Sequence, residues 1–102
     1  MGKMRCVKMD VIMKNMLIHA LRDVFREEKE SGISSKETGE LILRLAGYEE
    51  TKLFLREDEY RKIIEALGKL RDCYISSGRY TDGIDTVLLK VMQARYKRCA
   101  SR

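Results

Sequence analysis

The 102-residue chain contains no proline and no tryptophan, a single histidine and three cysteines. Proline disrupts helix interiors, so its absence suits a chain made mostly of helix. Cys6, Cys73 and Cys99 are odd in number and widely spaced, which excludes a disulfide framework and points to a reducing, cytoplasmic setting. With one histidine and no CxxC pair, no structural zinc site is expected. Long apolar runs are missing too. The longest apolar-rich stretch, Val11 to Leu21, is interrupted by Lys14, Asn15 and His19. It falls short of the roughly 20 residues a membrane span requires. The basic, methionine-rich start, MGKMRCVKMD, lacks a clean apolar core and a small-residue cleavage site, so it does not read as a signal peptide. Cys6 stands where a myristoylation signal wants Ser or Thr.

Hydrophobic residues make up 44% of the chain and charged residues 36%, a balance suited to a folded domain rather than a disordered or membrane-embedded one. The length corresponds to a single helical domain over 1–102. The net charge of +5 is unevenly spread. Residues 1–14 carry Lys3, Arg5, Lys8 and Lys14 against Asp10. Residues 90–102 carry Lys90, Arg95, Lys97, Arg98 and Arg102 and no acid, while the middle of the chain is slightly acidic. If the two ends meet in the fold, they form one cationic patch.

Periodicity and capping residues predict four helices and an all-α bundle. The first runs from about Asp10 to Ser31. Met13, Met16, Leu17, Ala20, Leu21, Val24 and Phe25 share one face, Asp10 serves as N-cap, and Gly32 ends the helix. The second starts at Ser34, which has capping-box spacing to Glu37 and Ile33 before it as a weak staple. Leu41, Ile42 and Leu45 form its stripe, Gly39 leaves room for a close neighbour, and Gly47 closes it. The third spans about Glu57 to Ser77. Its first turn is acidic, and Tyr60, Ile63, Ile64, Leu67, Leu70 and Tyr74 face inward. The fourth begins after Thr81 or Asp82, uses Ile84, Leu88, Val91, Met92 and Tyr96, and frays through Arg98. The short link between the last two helices predicts an antiparallel αα-hairpin. Residues 1–9 are expected as a flexible basic arm and 99–102 as a frayed tail. Residues 48–56 can be extended or helical. A lone strand cannot satisfy its backbone, so a loop that tucks Phe54 into the core is the favoured reading.

Chemical motifs are sparse. Neither GxGxxG nor a P-loop occurs, which leaves nucleotide binding without support, and no cofactor is expected. His19 has no nucleophile at a recognisable spacing, so no catalytic pair is read and the chain is expected not to be an enzyme. The acidic runs Glu27-Glu28-Glu30 and Glu57-Asp58-Glu59 read as solvated helix ends rather than metal ligands. Met4, Met9, Met13 and Met16 could form an adaptable binding surface, but helical spacing already explains Met13 and Met16 as core. Arg71 falls inside the apolar stripe of the third helix. Either its stem lies on the core with the head in water, or it pairs with Asp85 on the fourth helix. Residues Gly78 to Asp85 read first as a helix stop followed by a helix start, and second as an exposed corner presenting Arg79, Tyr80 and Asp82.

Leu70-Arg71-Asp72, Gly78-Arg79-Tyr80-Thr81-Asp82 and Leu88-Leu89-Lys90, within Leu70 to Lys90, resemble the C-terminal hairpin of small uncharacterised proteins from phages and mobile elements of Gram-positive bacteria. The resemblance covers about a fifth of the chain and carries over no functional residue. It implies a non-enzymatic regulator or an inhibitor of a host machine, in the manner of an anti-CRISPR protein. The expectation is therefore a helical protein that occludes a host protein or nucleoprotein surface. Its contact residues are expected to be Arg79, Tyr80, Lys90, Arg95, Tyr96, Lys97 and Arg98. Two alternatives stand beside it: a DNA- or RNA-binding accessory protein using the basic ends, and a self-associating protein that dimerises through the helix hairpin. Residues 33–48 do not complete a helix-turn-helix, because Leu41-Ile42-Leu43 continues the helix where the tight turn should fall.

Overall fold

A computed structural model describes residues 3–98 of the chain, with side chains from Met4 to Ala94. The element order is β1 (Lys3–Lys8), α1 (Val11–Glu30), α2 (Lys36–Ala46), β2 (Lys52–Leu55), α3 (Glu57–Ser76), α4 (Asp82–Met92) and β3 (Arg95–Arg98). The chain is thus mostly helical, but the all-α expectation is corrected by a three-stranded antiparallel sheet of order β2-β1-β3. Three segments depart from their sequence reading. Residues 3–8 of the expected flexible arm form the central strand. The expected loop around Leu53 contains β2. The last helix stops at Met92, so Arg95–Arg98, read as its fraying end, is an edge strand. The tail expected at 99–102, with Cys99, lies outside the described residues.

Local chemistry explains the helix ends. The Asp10 side chain accepts from the Met13 amide at 2.8 Å, as its N-cap position requires. Gly32 and Gly78 take φ values of 74° and 72°, and they follow α1 and α3 in the left-handed conformation that glycine adopts without strain. At α3 the Arg56 amide donates to Glu59 Oε1 at 2.9 Å. The predicted Ser34 cap is corrected: α2 begins after Ser35, and no side chain caps it. Ile33, proposed as its staple, is 61% exposed.

The core joins the helices to one side of the sheet. Met13, Leu17, Leu21 and Val24 of α1 meet Leu41 and Leu45 of α2, Ile63 and Leu67 of α3, and Ile84, Val87 and Val91 of α4. Val7 of β1 and Leu53 and Leu55 of β2 complete it from the sheet. Successive strand residues point to opposite faces. Leu53 and Leu55 are therefore core, while Phe54 between them is partly exposed on the other face, which corrects its expected burial. Met92, expected on the inner face of α4, is 54% exposed, and Val87 takes that role.

Polar ties lock the layers. Glu28 on α1 accepts from Lys62 Nζ of α3 at 2.8 Å and from the Thr38 hydroxyl of α2 at 2.7 Å. Burial raises the Glu28 carboxyl, but these hydrogen bonds and the Lys62 and Lys69 charges outweigh it and hold the group below its ordinary value. Arg5 on β1 ties the sheet to the start of α3 through Glu57 and lies over the Tyr60 ring at 4.0 Å.

Candidate functional site

Antiparallel pairing of β1 with both neighbours brings the chain's basic ends together. Cys6 pairs with Phe54 on one side and with Arg95 on the other. Met4 pairs with Lys97, and Lys8 with Lys52. These positions share the sheet face turned away from the helices, because Val7, Leu53 and Leu55 occupy the face turned toward them. Lys8 and Lys52 are exposed, and Met4, Cys6 and Phe54 are partly exposed between the basic positions. No acidic residue occupies this face over the described strands. The result is a row of apolar side chains crossed by cationic positions, which concentrates positive potential over a surface that aromatic or apolar ligand groups can touch.

Arg5 does not belong to that surface. It lies on the helix side of β1, and its guanidinium is held by Glu57 at 3.0 Å and by the Ala94 carbonyl at 3.1 Å. The pairing with Glu57 removes Arg5 from the cations free to meet an anionic ligand. Counting charges in the sequence cannot make this distinction.

The outer edge of β2 is closed. Arg44 of α2 donates to the Phe54 carbonyl, and the Tyr48 hydroxyl donates to the Lys52 carbonyl. An unpaired strand edge is a template for unwanted pairing, and side-chain donors on its carbonyls blunt it.

The expected contact residues separate into two groups. Arg95, Tyr96, Lys97 and Arg98 lie on β3, and pairing with β1 sets them in the sheet rather than on a helix. Lys90 is exposed in the last turn of α4, just before that strand. Arg79 and Tyr80 lie elsewhere. The α3 helix starts beside the sheet at Glu57 and runs about 30 Å at 1.5 Å per residue before reaching their turn. There Arg79 stacks on the Tyr74 ring at 4.0 Å, and Tyr80 is 91% exposed. Arg71 Nε meets Asp85 Oδ1 at 2.6 Å across α3 and α4, with both side chains partly exposed rather than buried. The hydrogen bond from Arg71, followed by one from Thr81, holds the Asp85 carboxyl below its ordinary value. This pair stitches α3 to α4.

A second surface lies between α1 and α2. A shallow groove of about 500 Å3 is lined by Phe25, Ile42 and Leu43 together with Arg22, Lys29 and Lys36. Gly39 lies against the Phe25 ring in this groove, where a Cβ would stand 3.1 Å from it. The sequence marks Gly39 as room for a close neighbour but does not identify the groove.

Among the described residues, no group of three or more His, Cys, Asp or Glu side chains could hold a metal ion. His19 is exposed on α1 and lies 3.9 Å from Asp23. No helix among these residues is long and apolar enough to cross a membrane. The chain matches no family model, and comparison with curated proteins and with solved structures yields no match.

Proposed function

We propose that this chain is a non-enzymatic binding protein whose three-stranded sheet engages nucleic acid through its outward basic face. The observation that carries this reading is the pairing of β1 with β3. It joins the basic start of the chain to its basic end and adds Lys52 from β2. Phosphates are the common polyanion that such a face suits, and lysine and arginine side chains gain affinity there by releasing counterions. The absence of acids on the face, over the described strands, favours the same ligand class. Lys90 in the last turn of α4 extends the patch beyond the sheet, although its position at a helix C-terminus also has a local reason.

The test is binding of a labelled oligonucleotide across a salt series. With about four cations engaged, log Kd should change with log salt by a slope of about 3 to 4. Replacing both Lys8 and Lys52 with Gln should lower that slope by about 2. Failure to bind any oligonucleotide at low ionic strength would remove the reading.

A second reading is favoured by the apolar groove between α1 and α2. There the chain acts as a regulator or inhibitor that occludes a partner protein or nucleoprotein complex. The resemblance of residues 70–90 to small phage and mobile-element proteins supports that role, including an anti-CRISPR type of inhibition. Under it, Phe25, Leu43 and the Arg79–Tyr80 corner carry contacts, and binding to the partner survives loss of Lys8 and Lys52.

A further inference from the structure

Phe54 is the side chain that phosphate binding leaves unexplained. It sits on β2 with Leu53 and Leu55 fully buried on either side of it, yet it faces the opposite way. An aromatic residue in a strand beside the core would ordinarily add its area to that core. Instead it lies partly exposed in a row with Cys6 and position 95, with Lys52 two residues before it and Lys8 diagonally across. Phenylalanine has no polar atom, so it offers neither a hydrogen bond nor a charge to a phosphate. What it offers is a flat apolar ring set among cations.

We infer that the outward sheet face takes single-stranded nucleic acid in preference to duplex, with Phe54 as the platform on which a base stacks. The inference rests on the proposed nucleic-acid reading of that face and names the form of the ligand. In a duplex the flat faces of the bases are already stacked on one another, and a side chain resting on the outside meets phosphates and groove edges. In a single strand the bases are free to turn toward the protein, and any base can stack on an aromatic ring. Charge complementarity and an aromatic ring at one site suit a single strand, whereas charge alone would serve a duplex equally well. Partners within a row lie about 4.8 Å apart across neighbouring strands and the two rows lie about 7 Å apart along them, so Lys8–Lys52 and Phe54–Cys6 give a stacked base and a flanking phosphate adjacent partners. Met4 and Cys6 extend the apolar strip beside the ring.

The chain has no tryptophan, so Phe54→Trp installs a single reporter at the site. Three probes are titrated into the full chain: a thymidine oligodeoxynucleotide, a uridine oligoribonucleotide of the same length, and a DNA duplex of that length. Stacking of a base on the introduced indole should quench its emission with either single strand and leave it nearly unchanged with the duplex. Phe54→Ala should weaken both single strands by about tenfold or more, with duplex affinity changed less than twofold. Thermal melting of each variant checks that the sheet is intact, and the Phe54→Trp signal keeps the test decisive if Phe54→Ala fails to fold. Equal loss for single strand and duplex, or single-strand binding with no quenching, would overturn the inference while leaving the basic-face reading in place. Absence of binding to all three probes at low salt would overturn both.

Discussion

Arg5 on the central strand donates from Nε to Glu57 Oε1 at 3.0 Å, and its guanidinium lies 4.0 Å from the centre of the Tyr60 ring. Through Nη1 it also reaches the Ala94 carbonyl, immediately before β3. One residue near the start of the chain thus holds the first turn of α3 and the approach to the last strand. Its side chain is 19% exposed, so water screens these contacts less than it would at the surface.

Arg5→Ala should destabilise the fold by about 2–3 kcal/mol in urea denaturation, because a charged hydrogen-bonding hub is lost and Glu57 is left without that partner. Arg5→Lys should recover little of this, since an ammonium cannot reproduce the planar fork that spans Glu57 and Ala94. Neither change should lower the salt slope of oligonucleotide binding, because Arg5 is turned away from the outward face.

Glu28 predicts the acid limb of stability. Its carboxyl is held below the ordinary value by Lys62 and Thr38, against the opposing effect of burial. A carboxyl depressed in the folded state contributes stability that is fully present above its unfolded pKa and is lost as pH falls through its folded one. Melting temperature measured from pH 7 downward should fall more steeply below about pH 4.5 for the wild type than for Glu28→Gln. At neutral pH the variant should be the less stable of the two.

Leu67 of α3 is fully buried in the core shared by the helices and the sheet. Leu67→Ala should cost about 2–5 kcal/mol by lost burial and the cavity left behind. Leu43→Ala, on the exposed side of α2, should change stability by less than about 0.5 kcal/mol. The two measured side by side in denaturant check the assignment of inside and outside.

Two helical glycines separate opposite outcomes. A Cβ at Gly68 of α3 meets nothing within 4 Å, so Gly68→Ala should stabilise by about 0.5–1 kcal/mol through helix propensity. A Cβ at Gly39 would stand 3.1 Å from Phe25 Cε1, so the ring must shift and the same gain should be reduced or reversed. Thermal melting of the two alanine variants gives the comparison.

The helices are legible in the sequence because each carries its own period and stops. Asp10, Gly32 and Gly78 mark ends that the structure retains, and the stripes through Leu17, Leu21, Leu67 and Val91 are buried. The strands are not legible, for a physical reason. Lys3–Lys8 alternates only over Lys3-Met4-Arg5-Cys6, a pattern that would turn Met4 and Cys6 inward whereas the core takes Val7, and Arg95–Arg98 is four residues with three basic ones, so neither identifies itself as a strand alone. Their pairing joins positions far apart in the chain, as Arg5 with Tyr96 shows, and no local pattern records it. Leu53-Phe54-Leu55 reads as a loop while no partner strand is visible. Once β1 is beside it, the same three residues alternate core, face, core. The candidate surface is half legible: the basic ends are evident, and their meeting enters as a condition. Which cation is neutralised within the fold, and which aromatic faces outward, requires the sheet.

The arrangement of the last strand carries the whole account, and amide nuclear magnetic resonance of the full chain tests it most directly. Cross-strand contacts between Arg5 and Tyr96 and between Cys6 and Arg95, with slow amide exchange along β1, are the predicted result. Helical contacts running unbroken from Leu89 through Arg98, with none to residues 3–8, would contradict it.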